Sequence, residues 1–126
     1  MKLKQLFTIN FPIAIFFGST CSLFPALVLQ MYGLPVDAAA IWVTRLVGGS
    51  ILGFATLMWF GRKTATVESR RSIALALLVQ DIVGFIASME IQLIGNINAL
   101  GWTNLILYGL LAIGYAYFLF LRPGDS

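Results

Sequence analysis

AAAIWVTRLVGGSILGFATLMWF, residues 38–60, is an apolar run that contains one charged residue, Arg45. About 20 apolar residues in helical conformation cross the ~30 Å hydrocarbon core of a bilayer. A helix satisfies its own backbone hydrogen bonds, which an open strand in lipid cannot do. The run therefore predicts a transmembrane helix. Asp37 stands directly before it, at the position expected of an N-cap.

Three further stretches have the same apolar character. They lie at residues 6–29, 72–94 and 102–121, and short connections separate them. Short connections require neighbouring helices to run antiparallel. We therefore predict an all-α membrane protein. Its single domain, residues 1–126, would be a bundle of four transmembrane helices in up-down-up-down order.

The composition excludes an ordinary soluble domain. Hydrophobic residues make up 60% of the chain and charged residues only 10%, against about 25% charged residues in soluble proteins. A soluble protein with this much apolar surface would aggregate, whereas in a bilayer the same surface contacts lipid. The lipid bilayer is thus the first expected partner.

The basic residues predict the orientation of the chain. All but Arg45 of the eight lie before the first helix, between the second and third, or after the fourth: Lys2, Lys4, Arg62, Lys63, Arg70, Arg71 and Arg122. The other two connections contain none. Because basic residues concentrate in cytoplasmic segments, we expect both termini to be cytoplasmic. This distribution accounts for the net charge of +3 without a nucleic-acid partner.

Three charged residues, Arg45, Asp81 and Glu90, fall inside the predicted spans. Each costs at least ~2.5 kcal/mol near a helix centre. At ~1.5 Å per residue, Arg45 and Glu90 lie about 10 and 6 Å below the same surface. We therefore predict an Arg45–Glu90 ion pair that locks two helices. A role in binding a ligand or ion, and separate extension of each side chain to the interface, are the alternatives.

A polar stripe runs along the third helix. Asp81, Gly84, Ser88 and Gln92 share one face at helical spacing, and we expect this face to contact protein. Asp81 could hold helices together as a hydrogen-bonded or protonated carboxyl group. It could instead be a proton or cation site, because ionisable residues inside a membrane mark such sites.

The second helix carries a cluster of glycines, Gly48, Gly49 and Gly53, which we predict to be a packing surface. Gly49 and Gly53 form a GxxxG motif, which lets two helix backbones approach closely. Arg45 lies one turn before Gly49 on the same face and is therefore expected to face protein.

The sequence contains no pattern typical of a catalytic site. It has no histidine and one cysteine, Cys21, so the commonest transition-metal ligand and the usual haem ligand are missing. No Ser/His, Cys/His or metal-ligand cluster is present. We predict a protein that is not an enzyme and that holds no cofactor and no metal.

Three short patterns carry a resemblance: Gly33-Leu34-Pro35, Arg45 with the glycines that follow it, and Asn98-Ala99-Leu100-Gly101-Trp102. On these patterns the chain resembles small four-helix proteins of the bacterial inner membrane that have no assigned function. The resemblance covers most of the chain and implies that membrane as its location. It implies no activity. Small multidrug exporters differ, because they have a glutamate in the first helix, and quinone-reducing thiol enzymes differ in having several cysteines.

These features leave three hypotheses of function. The first is a non-catalytic accessory or assembly subunit of a larger bacterial membrane protein complex, whose partners are other membrane subunits or further copies of itself. The second is a small oligomeric proton- or ion-coupled transporter or channel that uses Asp81. The third, an enzyme or a lipid or quinone binder, has the least support.

Overall fold

A computed structural model of the chain describes residues 2–63, 66–95 and 97–126, and in these ranges it contains helices and no strand. The five α-helices are α1 (Leu3–Leu23), α2 (Pro25–Met31), α3 (Ala38–Lys63), α4 (Val67–Ile94) and α5 (Gly101–Ala116). After α5 the chain continues as a π-helical turn, Tyr117–Leu121, and a 3-10 turn, Pro123–Asp125.

Four helical segments are long and apolar enough to cross a membrane: Leu3–Leu23, Ala38–Lys63, Val67–Ile94 and Gly101–Leu121. They correspond to the four predicted spans. The predicted class, an all-helical membrane protein with several spans, is thereby confirmed.

The first predicted span, approximately residues 6–29, is divided into two helices in the structure. α1 ends at Leu23 and α2 begins at Pro25. Between them Phe24 leaves the helical conformation, with φ −129° and ψ 54°. Proline has no N–H group to donate within a helix, but it suits the first position of a new one. Pro25 therefore starts a separate short helix.

Two helix starts are explained by capping. Asp37 Oδ1 accepts a hydrogen bond from the Ala40 N–H at 2.8 Å, which confirms its predicted role as N-cap of α3. α4 begins at Val67, five residues before the predicted start. Thr66 Oγ1 accepts a hydrogen bond from the Ser69 N–H at 3.1 Å and so caps the first turn of α4. Because this turn is polar, hydropathy alone does not include it in the span.

The long helices pack as two pairs. α1 lies along α3, and α4 lies along α5. The core is formed by the first halves of α1 and α4, the second half of α3, the end of α5 and the π-helical turn. Its members are Leu3, Leu6, Phe7, Ala14, Ala55, Met58, Ala74, Leu77, Leu78, Tyr115, Phe118 and Leu119. We call this end, which carries the seven clustered basic residues, the basic end, and the opposite end the distal end.

Hydrogen bonds join the two pairs at the distal end. Asn98 Nδ2 donates to the Met31 carbonyl at 2.8 Å, and the Asn98 N–H donates to the Tyr32 carbonyl at 3.1 Å. The Tyr32 hydroxyl, whose pKa is raised by burial, donates to Asn104 Oδ1 at 2.7 Å. Gly33, with φ +72°, turns the chain against the Asn98 side chain. Two of the three patterns behind the resemblance thus meet in this contact, which we call the distal clasp.

Candidate functional site

Asp81 is a buried carboxyl group between the helix pairs. Its side chain is 3% exposed, and it shares the buried face of α4 with Ala74, Leu77 and Leu78. The Oδ2 atom is buried without a hydrogen-bond partner in the described part of the chain. Such an atom is costly in an apolar interior. The burial of Asp81 places it on the inward face of α4, and this is the face that the polar stripe was expected to turn toward protein.

The rest of that stripe lies against α5. A Cβ atom added to Gly84 would come within 2.6 Å of the Tyr108 ring, so the ring packs directly on the glycine. Gln92 Nε2 lies 3.5 Å from the Asn98 carbonyl. Gln92 Oε1 is buried and has no hydrogen-bond partner among the residues that the structure describes. Ser88, between them, is half-buried. The stripe brings buried polar atoms together but leaves two of them unsatisfied.

Another buried polar contact, between α1 and α5, was not predicted from the sequence. Asn10 Nδ2 donates to the Tyr115 hydroxyl at 2.7 Å, and the hydroxyl lies 3.8 Å from Met58 Sδ. Tyr115 is completely buried. A lone amide within an apolar helix is the signal that could have identified Asn10, since such a group needs a partner in lipid. This contact connects α1, α3 and α5.

The predicted Arg45–Glu90 ion pair is not formed within the chain. Both side chains are exposed, and neither has an ion pair or hydrogen bond among the described residues. The prediction fails because α3 packs along α1 while α4 packs along α5. The hydrogen bond from Arg70 Nε to the Gly61 carbonyl, at 2.7 Å, joins α3 and α4 at the basic end, far along both helices from Arg45 and Glu90.

The three clustered glycines of α3, Gly48, Gly49 and Gly53, have different environments. Gly48 is buried, and a Cβ atom added to it would lie 2.8 Å from the Gly18 carbonyl oxygen and 2.7 Å from the Ser22 nitrogen. Gly49 and Gly53 are exposed, with no atom within 4 Å of an added Cβ. Gly48 thus packs α3 on α1. The GxxxG motif points about 100° away from it, and no other described helix comes close to it.

Arg45 shares the exposed face of Gly49 and Gly53, since each lies four residues from the next. The expectation that this face contacts protein within the chain is therefore wrong. We call these three residues the α3 stripe. It combines a charge that needs a partner in lipid with a surface that a second helix can approach closely.

The chain matches no protein-family model, no curated protein and no solved structure.

The candidate site is therefore described from the side chains of this chain alone. Among residues 2–63, 66–95 and 97–126 no three or more Cys, Asp or Glu side chains group so that they could hold a metal ion. Two arrangements remain with a clear physical consequence. The α3 stripe is an exposed face with a charge and two glycines, and Asp81 has a buried carboxyl oxygen without a hydrogen-bond partner among the described residues.

Proposed function

We propose that this chain is a non-catalytic accessory or assembly subunit of a larger bacterial membrane protein complex. It forms a four-helix transmembrane bundle in up-down-up-down order in the inner membrane. Both termini are cytoplasmic, because the clustered basic residues lie with them at the basic end and such residues favour the cytoplasmic side.

The observation that carries this proposal is the exposure of the α3 stripe. Arg45, Gly49 and Gly53 lie exposed on a membrane-length helix. In the described part of the chain Arg45 has no ion pair or hydrogen bond, and no neighbouring helix comes within 4 Å of a Cβ atom added to either glycine. An arginine within a span needs a partner or a route to water. Small residues favour helix association, because they allow many close backbone contacts. A helix from another subunit would satisfy both requirements, and no catalytic group is needed for such a role.

The first experiment measures the native mass of the tagged chain, purified from its own membrane in a mild detergent, together with mass spectrometry of what co-purifies. We expect a stoichiometric membrane partner and a mass far above that of the 13.8 kDa chain. Gly53→Leu is expected to lower the amount of partner that co-purifies at least ~10-fold. It should leave the chain folded, because no atom lies within 4 Å of an added Cβ.

Thr8→Leu is the control, since it places the same leucine side chain at an exposed position of α1. It should retain the partner. A monomer in mild detergent, or equal recovery of the partner with Gly53→Leu, would contradict the proposal.

A second candidate function is a small proton- or ion-coupled transporter or channel, oligomeric in the membrane, that uses Asp81. It is favoured by the buried Oδ2 atom of Asp81, which has no hydrogen-bond partner within residues 2–63, 66–95 and 97–126. A carboxyl oxygen in that state is free to accept a proton. Buried carboxyl groups inside membrane proteins serve as proton relays.

Asp81→Asn tests this second function. The amide keeps the size of the side chain and a hydrogen-bonding group, but it cannot take up and release a proton. In proteoliposomes with an imposed K⁺ diffusion potential and a pH-sensitive dye inside, the original chain should acidify the lumen. Asp81→Asn should reduce that rate to the level of empty liposomes. Ser88→Ala, on the same stripe, should leave the rate unchanged. Equal rates for the original chain and empty liposomes would exclude proton conduction.

A further inference from the structure

Glu90 lies on α4 and, like Arg45, is an exposed charge near the distal end of a membrane-length helix. We propose that a second copy of this chain occupies the α3 stripe, with Arg45 of one copy paired with Glu90 of the next. This inference rests on the proposed function, because it identifies the partner at the surface on which that function depends.

The first argument is charge complementarity. Arg45, Asp81 and Glu90 are the charges deep within the spans, and Asp81 is buried while the other two are exposed. Arg45 and Glu90 have opposite charges, and neither has a partner in the described chain. The chain therefore carries both members of an ion pair that it does not form with itself. A surface of this kind is complementary to a copy of the same chain.

The second argument is depth. Arg45 is seven residues after Ala38, the first residue of α3, and Glu90 is four residues before Ile94, the last residue of α4. Both are counted from the distal end, so the two backbone positions lie about 10 and 6 Å from it. In two copies with the same orientation, a long arginine side chain spans this difference.

The third argument is the shape of the exposed face that contains Glu90. We call Val79, Val83, Ala87 and Glu90 the α4 stripe; they share one face at helical spacing and are all exposed. Gly49 lies eleven residues after Ala38, and Val83 lies eleven residues before Ile94. Gly53 and Val79 each lie fifteen residues from the same ends.

In two copies with the same orientation, each of these glycines is therefore level with a valine of the neighbouring α4 stripe. A valine side chain on one helix fills the gap left by a glycine on the other, which is the arrangement that brings helices close. Because each copy carries both stripes, the contact can be made twice in a two-fold dimer or once per neighbour in a ring.

The experiment uses two full-length chains that carry different tags and are expressed in the same cell. One chain is purified by its tag in mild detergent, and the recovery of the other chain with it is measured. Two original chains should co-purify. Two chains that both carry Arg45→Glu should lose recovery at least ~10-fold, because a glutamate then faces Glu90. Two chains that both carry Glu90→Arg should lose it similarly.

The decisive combination is one chain with Arg45→Glu and the other with Glu90→Arg. Every contact between these two chains joins opposite charges, so recovery should return to at least half the original level. This restoration shows that both variants fold. An Arg45→Glu pair that co-purifies like the original, or a mixed pair that is not restored, would overturn the inference.

The experiment also separates the two proposals. A different membrane protein in stoichiometric amount, without the second tagged copy, overturns this inference and leaves the proposed function standing. A lone monomer overturns both.

Discussion

Gly48→Ala is expected to lower the free energy of unfolding by about 3 kcal/mol, at the upper end of the usual cost of overpacking. The added Cβ would lie 2.7 Å from the Ser22 nitrogen and 2.8 Å from the Gly18 carbonyl oxygen. Both are backbone atoms of α1, so the clash cannot be relieved by rotating a side chain. The helices α1 and α3 must separate. Unfolding in detergent micelles, followed by helix content, measures the loss.

Gly49→Ala, at the next residue, is the matched control. No atom lies within 4 Å of its added Cβ, and alanine favours a helix over glycine by roughly 1 kcal/mol. In micelles dilute enough to keep the chain monomeric, the free energy of unfolding should stay unchanged or rise slightly. Equal destabilisation by both substitutions would contradict the close α1–α3 contact at Gly48.

Arg71→Met is expected to lower the free energy of unfolding by about 3 kcal/mol. The guanidinium group donates to the Leu119 carbonyl at 2.6 Å, the Phe118 carbonyl at 3.3 Å and Ser126 Oγ at 2.8 Å. Hydrogen bonds to a charged group contribute about 1.5–3 kcal/mol each, and leaving a buried carbonyl unpaired has a further cost. Hydrogen exchange of the amides in Tyr117–Leu121 should become faster, because Arg71 joins this π-helical turn to α4.

Two variants test the specificity of this contact. Arg71→Lys keeps the charge but loses the planar group that reaches several acceptors at once, so an intermediate loss is expected. Ser126→Ala removes one acceptor and should cost no more than about 1 kcal/mol. A loss with Ser126→Ala as large as with Arg71→Met would show that the two carbonyl contacts contribute little.

The places of the membrane-length helices in the chain followed from the sequence, whereas their ends and the helices against which they pack did not. Apolar runs identify spans because a bilayer requires them, and the N-cap at Asp37 has a chemical signal of its own. In contrast, lipid and protein interior are equally apolar. A run such as residues 38–60 therefore contains little to indicate which face contacts α1 and which contacts lipid.

This ambiguity explains the two errors at the candidate site. Arg45 and Glu90 were paired on depth alone, but depth does not determine which helices pack together. Gly48 and Gly49 are adjacent in sequence, yet the first is buried and the second exposed, because one residue rotates a helix by about 100°. Asp81 was assigned to an inward face correctly, since its polar neighbours at helical spacing indicated that face.

The pairing of consecutive long helices sets an order for assembly during synthesis. α1 and α3 are complete before α4 is made, and their contact requires nothing from the rest of the chain. Domains generally fold from the N-terminus as they emerge, so this pair is expected to associate first. The bond between Asn10 and Tyr115, 105 residues apart, can form only after α5 has entered the membrane. Until then the amide of Asn10 lies on the surface of the first pair without Tyr115. When α5 packs against this pair, Asn10 donates its hydrogen bond to Tyr115.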